Sequence, residues 1–302
     1  MPNLNFQTLD VFTTKRFSGN PLAVFANADG IPVEKMALIG KEFNLSETVF
    51  IQSPDTDQAI AKLRIMTPTT ELPFAGHPTI GASLVLSDTI TAEHAAAGFV
   101  IETRAGLVRA RVIKLDGQPA KATIITPQLP KPSPAENADL LAAALGLESD
   151  MIMAGHFAPS IWSAGTPFTF VGVRDRATLA KSRVDSAAWD RAFGPDSAPK
   201  VFVYSMDDWA NGTRVDARMY APTLGVPEDP ATGSASAAMA GLLAKAQARG
   251  DGRHSWIISQ GVDMGRPSVI EIAASIAQGN VVEVTLSGSA IRVSEGRYLS
   301  LE

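Results

Sequence analysis

The chain has 302 residues, is 45% hydrophobic and 19% charged, and carries a net charge of −5 with no cysteine. That length suits two domains of about 150 residues each. The acidic balance, with no basic run to offset it, argues against nucleic acid as a partner. The missing cysteines exclude disulfides, zinc–thiolate sites, iron–sulfur clusters and thiol nucleophiles.

The opening MPNLNFQTLD holds no basic segment followed by an apolar core, so no signal peptide is expected there. No uncharged apolar stretch reaches the roughly 18 residues that span a bilayer. The cytoplasm is the expected location, with no membrane partner.

Taken in chain order, residues 6–12, 48–52 and 62–66 read as strands. A helix then starts near His77 and runs through 83–86, and strands follow at 99–103, 107–113 and 122–126. Leu107, Arg109 and Arg111 alternate with apolar residues, as on the wet face of a half-buried antiparallel strand. The segment 117–139 holds five prolines and joins the halves, with the linker expected at 126–134. Beyond it, strands are expected at 168–173, 201–205, 214–220, 256–260, 269–273 and 281–286, with a second helix at 232–247. That helix reads SASAAMAGLLAKAQ. Small residues cover almost its whole circumference, so it should be enclosed on all sides. Two such helices among short antiparallel strands imply a barrel wrapped around a helix, once per half.

The chain carries one motif twice. Arg-x-x-x-Pro-Thr runs from Arg64 to Thr69 and again from Arg218 to Thr223. Pro-x-x-Gly then leads into each helix, through Pro73 and Gly76 and through Pro230 and Gly233. The arginines lie 154 residues apart and the glycines 157, so a short insertion separates two registers of one repeat. LSETVFI at 45–51 resembles PKVFVYS at 199–205, and Gly106 falls near Gly261 in the same comparison.

Both motif glycines precede a helix, where unpaired N–H groups and the macrodipole favour an anion. Tight packing is the plainer explanation of each glycine; two such starts point to a carboxylate and a developing enolate. Gly76 to Ser83 imitates a phosphate loop, but Ala82 stands where the lysine must be. The four histidines, His77, His94, His156 and His254, lack metal-ligand spacing, so no metal is expected. His77 begins a helix, where it either caps the turn or serves as a neutral imidazole. Asp229 before Pro230 reads as a cap or turn initiator as readily as a functional carboxylate. Ser234 is the repeat counterpart of His77. Glu47 is an exposed turn residue or, beside an enclosed site, an acid/base whose pKa desolvation would raise.

Together the residues resemble the phenazine-biosynthesis PhzF-like family, within the diaminopimelate-epimerase fold. The matching pieces are Asp10-Val-Phe, Gly19-Asn-Pro-Leu-Ala-Val24, Ser46-Glu-Thr48 and Glu71-Leu-Pro-Phe-Ala-Gly-His-Pro78. Glu228-Asp-Pro-Ala-Thr-Gly-Ser-Ala235 and Gln260-Gly-Val-Asp-Met-Gly-Arg-Pro-Ser268 continue the order in the second half. The resemblance implies an α+β fold of two related domains, each an antiparallel β-barrel around a central helix, with the site in the cleft between them. The domains would be 1–127 and 128–302, with the last strand free to cross back to the first.

It further implies a homodimer and an isomerase that uses no cofactor and no metal, acting on a small, cyclic, carboxylate-bearing metabolite. The family's trans-2,3-dihydro-3-hydroxyanthranilate isomerase is the model for this chemistry. By that match Glu47, His77 and Asp229 are the catalytic residues. Glu47 moves a carbon-bound proton, His77 and Asp229 position the substrate and relay the second proton, and Gly76, Gly233 and Ser234 bind the anion. Related racemases use two thiols, and the positions implied for them here hold Ala75 and Pro230. A family member that binds a metabolite without converting it, or a purely structural duplicated domain, remains open at the level of sequence.

Overall fold

Arginines of the repeated motif set the frame of two similar units. In the computed structural model, described for residues 4–114, 116–133, 137–194 and 199–299, the chain forms one unit from Met1–Pro127 and Leu286–Glu302 and another from Gln128–Thr285. The first holds β1 (Leu4–Val11), β2 (Asn20–Phe25), α1 (Val33–Phe43), β3 (Thr48–Gln52), β4 (Ala61–Met66) and β5 (Glu71–Leu72). It continues with α2 (Gly76–Leu86), α3 (Ala92–Ala97), β6 (Phe99–Thr103), β7 (Gly106–Ile113) and β8 (Lys121–Ile125). The second begins with β9 (Lys131–Ser133), α4 (Ala138–Ala144), β10 (Ser160–Ser163), β11 (Pro167–Gly172), α5 (Arg176–Lys181) and α6 (Ser186–Phe193). It goes on through β12 (Val201–Ser205), β13 (Arg214–Ala221), β14 (Val226–Asp229), α7 (Gly233–Ala246), β15 (Gly252–Gln260) and β16 (Ser268–Ala277). The last strand, β17 (Asn280–Tyr298), starts in the second unit and ends in the first.

The two ladders follow one plan. In the first unit β1, β2, β3, β4, β6 and β7 pair in that order, and β10, β11, β12, β13, β15 and β16 do so in the second. Most pairs are antiparallel, as expected, but β2–β3, β4–β6, β11–β12 and β13–β15 are parallel. Parallel neighbours need a crossover. Helix α1 supplies it between β2 and β3, and α2 between β4 and β6; α5 with α6, and α7, do the same in the second unit. In the first unit β8 pairs with β7 and β17, and β17 pairs with β1, which closes the barrel.

Each ladder wraps a helix that has no wet face. All eleven residues of α2 are buried, and it packs on β1, β2, β3, β7 and β8. Eleven residues of α7 are buried, against β9, β10, β11, β15 and β16. Their fully buried hydroxyls are satisfied by carbonyls one turn back. Thr79 Oγ1 donates to Ala75 O and Ser83 Oγ to Thr79 O at 2.7 Å, and Ser236 Oγ to Thr232 O at 2.9 Å. This back-bonding lets short polar residues sit in an apolar interior. The enclosure expected from the small-residue pattern is therefore present.

Amphipathic helices cover the barrels. Met36 and Ile39 of α1 join Phe25, Phe50 and Met66, with Phe25 and Phe50 stacked at 4.8 Å. In the second unit Leu141 and Ala144 of α4 and Trp189 of α6 meet Val171, Val201 and Val203. The repeated arginines have a shared purpose: Arg64 pairs through two nitrogens with Glu71, and Arg218 with Glu228 at 2.9 and 2.8 Å. These two-pronged pairs fix the short strands β5 and β14 that lead into α2 and α7.

Two local expectations change. The proline-rich 126–134 stretch is not wholly irregular, because Lys131–Ser133 pairs with β10 as a strand. Pro132 is tolerated at such a border position, and Pro134 lies outside the described residues. The sequence also sets Gly261 beside Gly106. The ladders instead pair Thr103 with Gly106 and Gln260 with Ser268, so Ser268 is the counterpart and Gly261 belongs to a longer hairpin.

Candidate active site

In the first unit the candidate residues gather at the start of α2. Gly76 and His77 are its first two residues, both buried, with His77 at 3% exposure. Ala75 precedes them in an extended conformation (φ −149°) and offers no side-chain cap. Glu47 ends the turn between α1 and β3, with its side chain 17% exposed, and Oε2 lies 3.6 Å from His77 Nδ1. It is therefore not the solvated turn residue of the plainer reading. Burial pushes the Glu47 carboxyl up to about 7, against a smaller lowering by the Ser46 hydroxyl. A carboxyl that titrates near neutrality can both take and return a proton.

The support beneath Glu47 is built by backbone geometry. Gly19 sits at φ +69°, and a Cβ there would lie 2.3 Å from Val11 O. Only glycine fits, and the tight turn delivers buried Asn20 to β2. Ser46 Oγ donates to Asn20 Oδ1 at 3.2 Å. The sequence reading gave Asn20 and Ser46 no role of their own, although both stand in the quoted motifs.

In the second unit Asp229, Gly233 and Ser234 gather at the start of α7. Asp229 closes β14 and is 7% exposed. Gly233 is buried, and Ser234, half-buried, is the second residue of the helix as His77 is of α2. Thr232, not Asp229, is the N-cap residue of α7, and its hydroxyl makes no capping bond. It donates instead to Asp229 Oδ2 at 2.5 Å. Neither α2 nor α7 has an acidic residue in its first turn or a capping hydrogen bond to its N-cap side chain, and helix starts of this kind favour an anion.

The two N-caps also correct one correspondence. Ala75 is matched by Thr232, not by Pro230. Without cysteine anywhere in the chain, two-thiol chemistry stays excluded. The halves differ at a further position. The ladders pair Phe50 with Arg64 and Val203 with Arg218, which places Lys200 where the first unit has Glu47. Burial pushes the Lys200 ammonium below its usual range. Among the described residues no cluster of three or more His, Asp or Glu could hold a metal ion. No described helix is long and apolar enough to cross a membrane.

Known proteins match the chain nearly end to end. The family model described as phenazine biosynthesis-like protein, PhzC-PhzF, matches residues 9–296. An uncharacterised isomerase of Mesorhizobium japonicum is 37% identical, over 98% of this chain and 99% of its own. Trans-2,3-dihydro-3-hydroxyanthranilate isomerase of Pseudomonas aeruginosa is 35% identical, over 97% and 98%. A solved PhzF-family protein of Bacillus anthracis shares the fold with a TM-score of 0.86 at 21% identity, covering 99% of this chain and 100% of that one. The chain, with its two helix-centred barrels, belongs to the PhzC-PhzF family of phenazine biosynthesis-like proteins.

Proposed function

We propose that the protein is an isomerase that needs no cofactor and moves a proton on a small, cyclic, carboxylate-bearing metabolite. The observation that carries this reading is Glu47, raised to about 7 by burial and 3.6 Å from His77. In ionised form Glu47 removes a proton from a carbon acidified by the conjugated carboxylate. The electron pair left behind delocalises toward that carboxylate, and first-turn N–H groups of α2 and α7 stabilise the charge. Protonated Glu47, its side chain still 17% exposed, exchanges with solvent and then delivers a proton to a different carbon. His77 and Asp229 orient the substrate, and Gly76, Gly233 and Ser234 bind the anion.

The names of the relatives support an isomerase, and the reading extends to a homodimer acting in the cytoplasm. Trans-2,3-dihydro-3-hydroxyanthranilate and other cyclic carboxylates serve as probes in deuterium oxide. Isomerised product should carry solvent deuterium at carbon, and Glu47→Gln should lower turnover by about 10²- to 10⁴-fold. Undiminished turnover in Glu47→Gln would remove Glu47 from the chemistry.

A further inference from the structure

Gln260, at the end of β15, is fully buried and spends its whole amide on one turn. Its Oε1 accepts from Thr232 N–H at 3.0 Å. Its Nε2 donates to Asp229 O at 2.7 Å and to Thr232 Oγ1 at 3.0 Å. The opposite amide orientation would set NH₂ against N–H and a carbonyl against two oxygens, so the bonding partners fix it. Because Thr232 Oγ1 accepts from Gln260, its single proton is committed to Asp229 Oδ2, the 2.5 Å contact. The threonine thereby gives up the helix-capping bond that this position usually makes.

The first unit supplies an internal control. Leu72 pairs with Ile65, next to Arg64, as Asp229 pairs with Met219, next to Arg218. Lys62 pairs with Glu102 as Asp216 pairs with Ser259, so Thr103 stands where Gln260 stands. The N-cap is Ala75 instead of Thr232. The same strand, turn and buried helix thus form with leucine, alanine and threonine, and Thr103 sends its hydroxyl to Gly106 O at 2.8 Å instead. The fold does not need the polar trio.

We propose that Thr232 and Gln260 are positioning residues that hold the Asp229 carboxylate in a single rotamer through Oδ2. The consequence for catalysis rests on the reading of Asp229 given above; the positioning itself does not. The test is the set of three-bond couplings across χ1 of Asp229, measured by NMR on aspartate-labelled full-length chain without any ligand. Wild type and Thr232→Ser should give single-rotamer values. Thr232→Val and Gln260→Leu should give averaged values well below each variant's melting temperature. Wild-type couplings in Thr232→Val would overturn the proposal, even if its melting point falls, since that is what a merely structural hydroxyl predicts. Should Gln260→Leu fail to fold, the Thr232→Val and Thr232→Ser pair still decides. Full turnover in Asp229→Asn would end the catalytic reading of Asp229 while leaving the coupling result to stand.

Discussion

At the scale of the residue, Glu47 makes a stability prediction that needs no substrate. Its carboxyl sits near 4.5 in an unfolded chain and is raised to about 7 in the fold, by burial first. The folded state therefore holds a proton that the unfolded state has lost between these values. Stability contributed by the neutral carboxyl is full below pH 4.5, declines as pH rises, and is gone above about 7. Glutamine mimics the neutral form. Glu47→Gln should match wild type near pH 4.5 and exceed it at pH 8 by up to about 3 kcal/mol. The 17% exposure of the side chain makes the lower part of that range the better expectation. Urea melts at both pH values check it; an equal offset at pH 4.5 and 8 would mean that desolvation of the charge is not what the variant relieves. The same carboxyl predicts a rising limb of activity through pH 7, since the ionised form is the base.

At the scale of the element, close packing of the central helices overrides ordinary propensity. An alanine normally gains about 1 kcal/mol over glycine inside a helix. At Gly241 of α7 a Cβ would lie 2.4 Å from Pro130 Cβ and 3.0 Å from the Trp162 ring. A proline and a buried indole cannot yield, so Gly241→Ala should destabilise by about 1–3 kcal/mol. Gly250, with no atom within 4 Å of its built Cβ, is the control, and Gly250→Ala should be neutral within about 0.5 kcal/mol. Chemical melts of the two variants side by side decide it. A stable Gly241→Ala would show that α7 is loosely held.

The same scale explains what was legible in the sequence. Both central helices and the alternating strands could be read, because small-residue circumference and period-two patterning are local signals. Helix α1, of eleven residues, and the short α3 were missed, and so were α4, α5 and α6, of six to eight residues. The last three are too short for periodicity to declare itself, although Asn137, Asp175 and Asp185 cap them as their residue types allow. Strands β5 and β14 escaped because ion pairs to Arg64 and Arg218, not hydrophobic pattern, fix them. Glu47, His77 and Asp229 became candidates through motifs. Gln260 was not assigned a role, since its meaning comes from Thr232, 28 positions away in sequence.

At the scale of the whole molecule, the chain's end belongs to its beginning. Strand β17 pairs with β1 from Leu4↔Tyr298 to Val11↔Ala290, apart from one bulge near Leu9. Beyond it Phe12 N–H and Thr13 N–H both donate to Ser289 O, at 2.7 and 3.1 Å. Phe12 is fully buried and lies over Gly288, where a Cβ would come within 2.3 Å of its ring. The barrel around α2 is therefore closed by a strand that follows the whole of the second unit in sequence. Leu22, Val24 and Phe25 of β2, all fully buried, sit one strand behind that closure. Ending the chain at Thr285 leaves the ladder of the second unit from β10 to β16 complete but strips β1 of one neighbour along its whole length. Amides of Leu4–Val11 that bond β17 should then lose hydrogen-exchange protection by orders of magnitude, while those of β12 and β13 keep theirs. Protection in β1 unchanged by the truncation would mean that β2 alone suffices to hold it. A loss spread evenly over β1, β12 and β13 would mean instead that the two units unfold as one.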